Sequence, residues 1–286
     1  MSGTPPTADG QAGSRSVEWL ARVISALVLG GISVAALLRG GLFFGAVVIA
    51  VAVAAAVEWH RLINDGRFAR ETVVTAFTVA GVVWALQGQG HAATAMLVIA
   101  AGACLTALSA LLRGGPQTWS IRWHAFGTPY IALSVLALVL LRGEARGAAI
   151  VGGLFVAIWM ADTGALLFGR MIGGPKLAPI LSPNKTWAGF LCGTAVAGAA
   201  EAAYVAAFGG AVTAGLAFGI LLALAGHSGD LFESWVKRQF HAKNMGHLIP
   251  GHGGMLDRID SLLFAAPLYA ALTYFAGINP LSLGGS

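Results

Sequence analysis

Residues 41–59 read GLFFGAVVIAVAVAAAVEW, a run in which only Glu58 carries a charge. A helix that spans a bilayer needs about 20 such residues. Working outward, further apolar runs lie near 17–38, 72–88, 92–112, 126–142, 147–169, 188–208, 211–229 and 261–278. Nine spans would use roughly 180 residues and leave the rest for ends and loops. Arg39, Gly40 and Gly41 alone separate the first two, and Gly88-Gln89-Gly90-His91 separate the third and fourth, so both pairs read as tight helical hairpins. Composition agrees. The chain is 57% apolar and 10% charged, against roughly 45–50% and about 25% for a soluble domain. So few charges cannot coat a globule, which excludes water-soluble, disordered and disulfide-scaffold classes. The fold class expected is all-α: a polytopic integral membrane protein of about nine transmembrane helices.

The two cysteines, Cys104 and Cys192, fall inside apolar runs and read as small buried hydrophobes. Residues 1–14, rich in Gly, Ser, Pro and Thr, read as a disordered tail, and 15–286 as a single membrane-embedded catalytic unit. The first apolar run lacks a small-residue cleavage site and reads as a retained helix. Thirteen of the 17 basic residues are Arg. With the abundant Ala and Gly, this points to a high-GC bacterial source and so to a bacterial inner membrane.

Basic residues also set orientation, since cytoplasmic loops are enriched in them. Nine spans place fourteen on one side: Arg15, Arg22, Arg61, Arg67, Arg70, Arg113, Arg122, Arg170, Lys176, Lys185, Lys237, Arg238, Lys243 and Arg258. Arg39, Arg142 and Arg146 fall on the other. The N-terminus is therefore expected in the cytoplasm, and so are the two polar stretches that carry chemistry.

The first of these, GHSGDLFESWVKRQFHAKNMGHLIPGHGGMLDRIDS at 226–261, holds four carboxylates, four basic residues and four histidines. Asp230, Glu233, Ser234 and Lys237 are spaced to share one helix face. Asp257 and Asp260 open the ninth span. Between Lys237 and Asp257, Pro250-Gly251-His252-Gly253-Gly254 can turn backbone N–H groups inward as an anion nest. Carboxylates around such a loop suit Mg²⁺, which takes one or two of them and completes its shell with water and substrate phosphates. Scattered histidines and distant cysteines argue against zinc. The second stretch is ADTGALLFGRMIGGPKLAPILSPNKTWAG at 161–189. There Ser182-Pro183 with Lys185-Thr186 reads as a capped turn opening the seventh span, and Lys185 and Arg170 could hold phosphates. Neither stretch contains a P-loop or a dinucleotide fingerprint.

The strings SGDLFESWVKR and LIPGHGGMLDRIDS, with Lys243 between them, closely resemble the signature of the phosphatidate cytidylyltransferases, or CDP-diacylglycerol synthases. DTGALLFGR and LSPNKTWAG resemble that family's smaller motif. The dense likeness covers about 65 residues. It implies an integral membrane enzyme that joins CTP and phosphatidic acid into CDP-diacylglycerol and pyrophosphate with Mg²⁺. Asp230 and Asp257 match the family's metal-binding aspartates, Lys237 its basic residue, and Ser182 and Lys185 the polar pair of the smaller motif. This chain departs in two places. Lys243-Asn244 stands where the family usually has Lys-Asp, and Trp187-Ala188-Gly189 where it usually has Trp-Glu-Gly.

The catalytic set expected is Asp230, Lys237 and Asp257, with Asp230 and Asp257 as metal ligands. Ser182, Lys185, Arg258, His252, Gly253 and Gly254 are expected at substrate phosphates, and Asp162, Glu233, Asp260 and Asn244 form a secondary group. The partners expected are CTP, phosphatidic acid and membrane lipids, with a homodimer as the candidate assembly and no nucleic acid. Plainer readings stand beside these. Asp230 and Asp257 could be solvated loop carboxylates paired with Lys237 and Arg258. Lys237 and Arg238 could serve orientation against anionic headgroups. His60, His91 and His124 could simply be interfacial, His227, His241 and His247 incidental loop residues, and Trp59 and Trp84 interfacial anchors. Glu201 falls mid-span, where a carboxylate usually faces a cavity or partner. Rival functions are a cytidylyltransferase for another lipid phosphate and a secondary transporter. A transporter predicts repeats and midplane polar residues, whereas the polar residues here cluster at one face.

Overall fold

The computed structural model describes residues 8–89, 91–113, 118–246, 248 and 253–281. Each expected apolar run lies on a helix: α1 (Ala8–Arg39), α2 (Gly41–Ile63), α3 (Glu71–Gln89), α4 (Ala92–Leu112), α5 (Thr118–Gly143), α6 (Gly147–Ile172), α7 (Trp187–Ala207), α8 (Val212–Gln239) and α9 (Leu256–Tyr274). Seven are long and apolar enough to cross a membrane, and α1 adds a shorter apolar stretch, Ile24–Arg39. The chain is a polytopic, helical membrane protein. Its outward side chains include Phe77, Leu97 and Leu112, more than two-thirds exposed, as suits a surface whose solvent is lipid.

Several boundaries differ from expectation; α5 begins eight residues before 126, and α9 runs from Leu256 to Tyr274 rather than 261–278. Helix α1 begins at Ala8, so residues 8–14 of the expected 1–14 tail are helical; Ala8, Gln11 and Ala12 favour a helix despite the neighbouring glycines. Helix α8 runs ten residues past the expected end of its apolar run at 229, so Asp230, Glu233, Ser234 and Lys237 lie on one helix, as their spacing suggests. Residues 176–186 form a short antiparallel hairpin, β1 (Lys176–Ala178) with β2 (Ser182–Thr186), in place of a simple turn. The expected cap is there: the Thr186 hydroxyl accepts the Gly189 N–H at 3.1 Å and starts α7.

Helices α2–α5 pack on one another, α6–α8 form a second group, and α9 sits between α5 and α8. Helices α6 and α7 meet backbone to backbone, where a Cβ on Gly193 would stand 2.6 Å from the Ala161 carbonyl. Small residues allow such close approach in membranes. It brings Asp162 of α6 beside the hairpin that precedes α7. Glu201 is buried in this second group, against Gly153 of α6 and Gly219 of α8.

Several residues assigned to the interface are interior. His60 and His124 are fully buried and stacked, with Nδ1 atoms 2.8 Å apart. His60 Nε2 lies 2.9 Å from the Thr75 hydroxyl, and Thr75, Thr128 and Thr106 continue the chain at 2.8 Å steps. Thr106 ends it by donating to the Gly102 carbonyl. The Thr75 hydroxyl also reaches the Glu71 carbonyl, to which it donates at 3.1 Å. Trp59 is buried too and donates its indole N–H to the Trp123 carbonyl at 3.0 Å. These contacts lock the site ends of α2, α3 and α5 together. Trp84 is exposed, as an anchor would be. Cys104 is exposed on α4 and Cys192 half-buried on α7, so neither is the buried hydrophobe expected.

Candidate active site

The polar residues gather at the end of the bundle where α6 and α8 finish and α9 begins. Asp257 lies in the first turn of α9, where a carboxylate complements the helix dipole. Its Oδ1 accepts from Lys237 Nζ at 2.9 Å, and Lys237 also donates to Glu233 at 2.8 Å, one turn back on α8. Its Oδ2 accepts two backbone N–H groups, from Gly254 at 3.0 Å and Met245 at 3.1 Å. Asp257 thus ties both ends of the connecting loop to α8. Glu233 is buried and holds Lys237 from behind.

A second carboxylate closes the loop from the other side. Glu58, on α2, is 3% exposed and accepts the Leu256 N–H, at the start of α9, at 2.8 Å. Leu256 itself is fully buried, so Glu58 satisfies a helix-end donor that water cannot reach. Gly246 and Gly254 leave the space for it. A Cβ on Gly254 would stand 2.7 Å from Glu58 Oε2 and 2.8 Å from Asp257 Oδ2, and one on Gly246 would collide with Glu58 Oε1.

Asp230 belongs to an adjoining group. It pairs with Lys185, which β2 presents across from α8. Asp162 of α6 and Asp260 of α9 lie close enough to Asp230 to repel it, and Asp260 and Asp162 repel each other. Lys185 and Arg258 supply the opposing charge at Asp162. Asp260 is otherwise turned back on its own helix, accepting the Ser261 N–H at 2.7 Å. The site therefore has two halves: Asp257–Lys237–Glu233 at the loop, and Asp230–Lys185 with Asp162 and Asp260 beside it.

The residues singled out from the sequence are thus placed individually. Asp230, Lys237, Asp257, Lys185, Glu233, Asp162 and Asp260 converge at this end. Ser182 is half-buried at the start of β2, and Gly253 takes the left-handed φ of 85° that glycine favours. Gly254 faces Asp257 through its N–H. Pro250, Gly251 and His252 lie outside the described residues, as does His247. Asn244 is exposed, and the N–H of the next residue, Met245, reaches Asp257. Asp257 does pair with Lys237, but Asp230 pairs with Lys185. His227, read as incidental, is buried on α8 against the Phe190 ring at 5.0 Å. Glu58 was missed. Its only local signal is a charge near the end of an apolar run, and its partner lies 198 residues away.

Residues 20–276 match the model of the cytidylyltransferase family. The chain belongs to that family. Among its relatives is a phosphatidate cytidylyltransferase of Brucella suis biovar 1 (strain 1330), 41% identical over 257 residues, which cover 86% of this chain and 90% of that protein. A phosphatidate cytidylyltransferase of Pseudomonas aeruginosa is 37% identical over 271 residues, 90% of this chain and 97% of that protein. One from Staphylococcus aureus (strain COL) reaches 46% over 116 residues, 40% of this chain and 45% of that protein. The likeness thus extends well beyond the dense motifs at 161–189 and 226–261, through the N-terminal helices that supply Glu58.

Proposed function

We propose that this member of the cytidylyltransferase family transfers the cytidylyl group of CTP to phosphatidic acid, releasing pyrophosphate. The observation that carries this reading is the joining of basic and acidic groups at one end of a membrane-embedded bundle, in a chain similar over nearly its whole length to proteins named for that reaction. A phosphate oxygen of the lipid attacks the α-phosphorus of CTP. The new P–O bond forms as the bond from the α-phosphorus to the bridging oxygen breaks, and the electron pair leaves with pyrophosphate. The nucleophile is ionised near neutral pH, so no general base is needed. Placing two anions in line is the main task.

Lys185 and Arg258 offer positive charge to those anions, Arg as a fork and Lys as a compact point. Gly253 and Gly254 let backbone approach a phosphate. Lys237 is held between Glu233 and Asp257 and keeps the Asp257 carboxylate in place. The all-carboxylate oxygen donors support Mg²⁺ as the ion. No three Asp, Glu, His or Cys side chains among the described residues converge tightly enough to hold an ion alone, and Mg²⁺ commonly uses one or two carboxylates plus water and phosphate oxygens. Asp230 and Asp257 are the ligands proposed, and the mutually repelling Asp162 and Asp260 add negative field beside Asp230. When bound, Mg²⁺ would offset the negative charge of the CTP phosphates.

The basic-residue bias supports a site that faces the cytoplasm of a bacterial cell and its pool of CTP. Competition among lipid phosphates tests the substrate. Detergent-solubilised protein is given CTP with an equimolar mixture of phosphatidic acid and other lipid phosphates. Phosphatidic acid is expected to take most of the cytidylyl label, and preferential labelling of another lipid would move the reading to that lipid.

A further inference from the structure

Helices α1, α2, α5, α6 and α9 do not close on one another. They leave a cavity of about 330 Å³ whose walls include Gly30, Val48, Ala52, Leu138, Phe155 and Leu262. A Cβ at Gly30 would meet nothing within 4 Å. The two hydroxyls in the wall are already engaged, Ser33 with the Leu29 carbonyl and Ser134 with the Leu263 carbonyl, each at 2.8 Å. The wall is therefore apolar in effect. Its charged residues are Asp162 and Arg258, close enough to attract each other, and both belong to the site already described.

Depth and volume constrain the occupant. Wall residues run from Ala52 to Phe44 on α2, from Asp162 to Phe155 on α6 and from Met255 to Leu263 on α9. At 1.5 Å of rise per residue each path is about 10–12 Å long. One leaflet of a ~30 Å hydrocarbon core is about 15 Å deep, so the cavity matches much of the depth of one lipid chain. Its volume is at the low end of the ~300–1,000 Å³ range of ligand pockets, which suits one chain rather than two. We propose that this cavity takes one acyl chain of the lipid-phosphate substrate, with the phosphate at Arg258 and chain length read at the Phe44–Leu138–Phe155 end. The second chain stays in the bilayer. This rests on the lipid-phosphate reading above.

Two variants test it in opposite directions. Val48→Phe fills the cavity halfway down, and Leu138→Ala deepens its far end. The readout is the ratio of kcat/KM for dioleoyl to dioctanoyl phosphatidic acid in detergent of fixed composition. Displacing two methylenes, each worth about fourfold, should lower the ratio about 15-fold in Val48→Phe. Leu138→Ala should raise it or extend preference to longer chains. Leu97→Phe, on the outward face of α4, should leave it unchanged. Equal loss for both lipids in a folded Val48→Phe protein, or both cavity variants moving the ratio the same way, overturns the proposal. Should Val48→Phe fail to fold, Leu138→Ala decides alone: an unchanged preference overturns it. Binding of the two lipids measured without CTP separates the claims. A wild-type protein that binds with this chain dependence but transfers nothing contradicts the activity and supports the cavity, whereas transfer without chain-dependent binding does the reverse.

Discussion

Replacing Glu58 by Gln keeps the shape of the side chain and removes its charge. Glu58 accepts the buried N–H of Leu256 at 2.8 Å, at the positive end of α9, with the Met255 and Leu248 backbones also donating toward it. A hydrogen bond to a charged group is worth about 1.5–3 kcal/mol and a neutral one about 0.5–1.5, so the substitution should weaken the contact by about 1–1.5 kcal/mol. That corresponds to about a tenfold change in an equilibrium. The equilibrium affected is the docking of residues 245–257, which set the Asp257 carboxylate between Lys237 and two backbone N–H groups. Glu58→Gln should therefore lower kcat about tenfold and raise the half-saturating Mg²⁺, with the lipid KM little changed. Glu58→Ala leaves the Leu256 N–H unsatisfied, a cost of about 1–3 kcal/mol, and should be worse. Gly254→Ala should couple to it, because the added methyl collides with both Glu58 and Asp257. In a double-mutant cycle the pair should be non-additive by about 0.5–3 kcal/mol. The assay is cytidylyl transfer across a Mg²⁺ titration, with thermal unfolding run in parallel. A folded Glu58→Gln protein with wild-type kcat and wild-type Mg²⁺ requirement would refute the coupling of α2 to the loop.

Three further outcomes are expected. Asp257→Asn, or removal of Mg²⁺ by a chelator, should abolish transfer while the protein stays folded; a variant with near wild-type turnover in Mg²⁺ would remove Asp257 from the ligand set. Asn244→Asp should leave the Mg²⁺ titration nearly flat, because the Asn244 side chain is exposed and the neighbouring N–H makes the contact; a tenfold shift in half-saturating Mg²⁺, about 1.4 kcal/mol, would make position 244 a ligand. Impermeant thiol reagents should label Asn244→Cys only from the cytoplasmic side and Ser282→Cys only from the outside, in a background without Cys104 and Cys192; labelling of both from one face would refute the odd number of spans.

The helices were legible because long uncharged runs have one stable solution in lipid, where every backbone group must be satisfied within its own segment. The run at 92–112 became α4 to the residue, and that at 41–59 became α2 with four more residues at its end. The apolar run of α8 stops at 229 because Asp230 and Lys237 are polar, and polarity marks the limit of an apolar run rather than the limit of a helix. The 176–186 hairpin left no alternating pattern to read, since SPNKT has neither a buried face nor β-branched residues beyond Thr186. Of the candidate site, the two motifs pointed to carboxylates and lysines that the bundle brings together and to a pair between Asp257 and Lys237, but not to the pair between Asp230 and Lys185. Asp230 meets Lys185 across two elements, and Glu58 meets Leu256 across most of the chain, contacts that only the packed bundle creates. His60 and His124 were misplaced for the same reason. A histidine at a span end looks the same in sequence whether it faces headgroups or another histidine.

The most direct test uses CTP labelled at one phosphorus at a time. With purified protein, Mg²⁺ and phosphatidic acid, label at the α-phosphorus should pass into CDP-diacylglycerol, and label at the γ-phosphorus should appear only in pyrophosphate, in equal amounts. The Asp257→Asn protein should give neither. Lipid that acquires the γ-label, or a folded wild-type protein that moves no label into phosphatidic acid, would contradict cytidylyl transfer at this site.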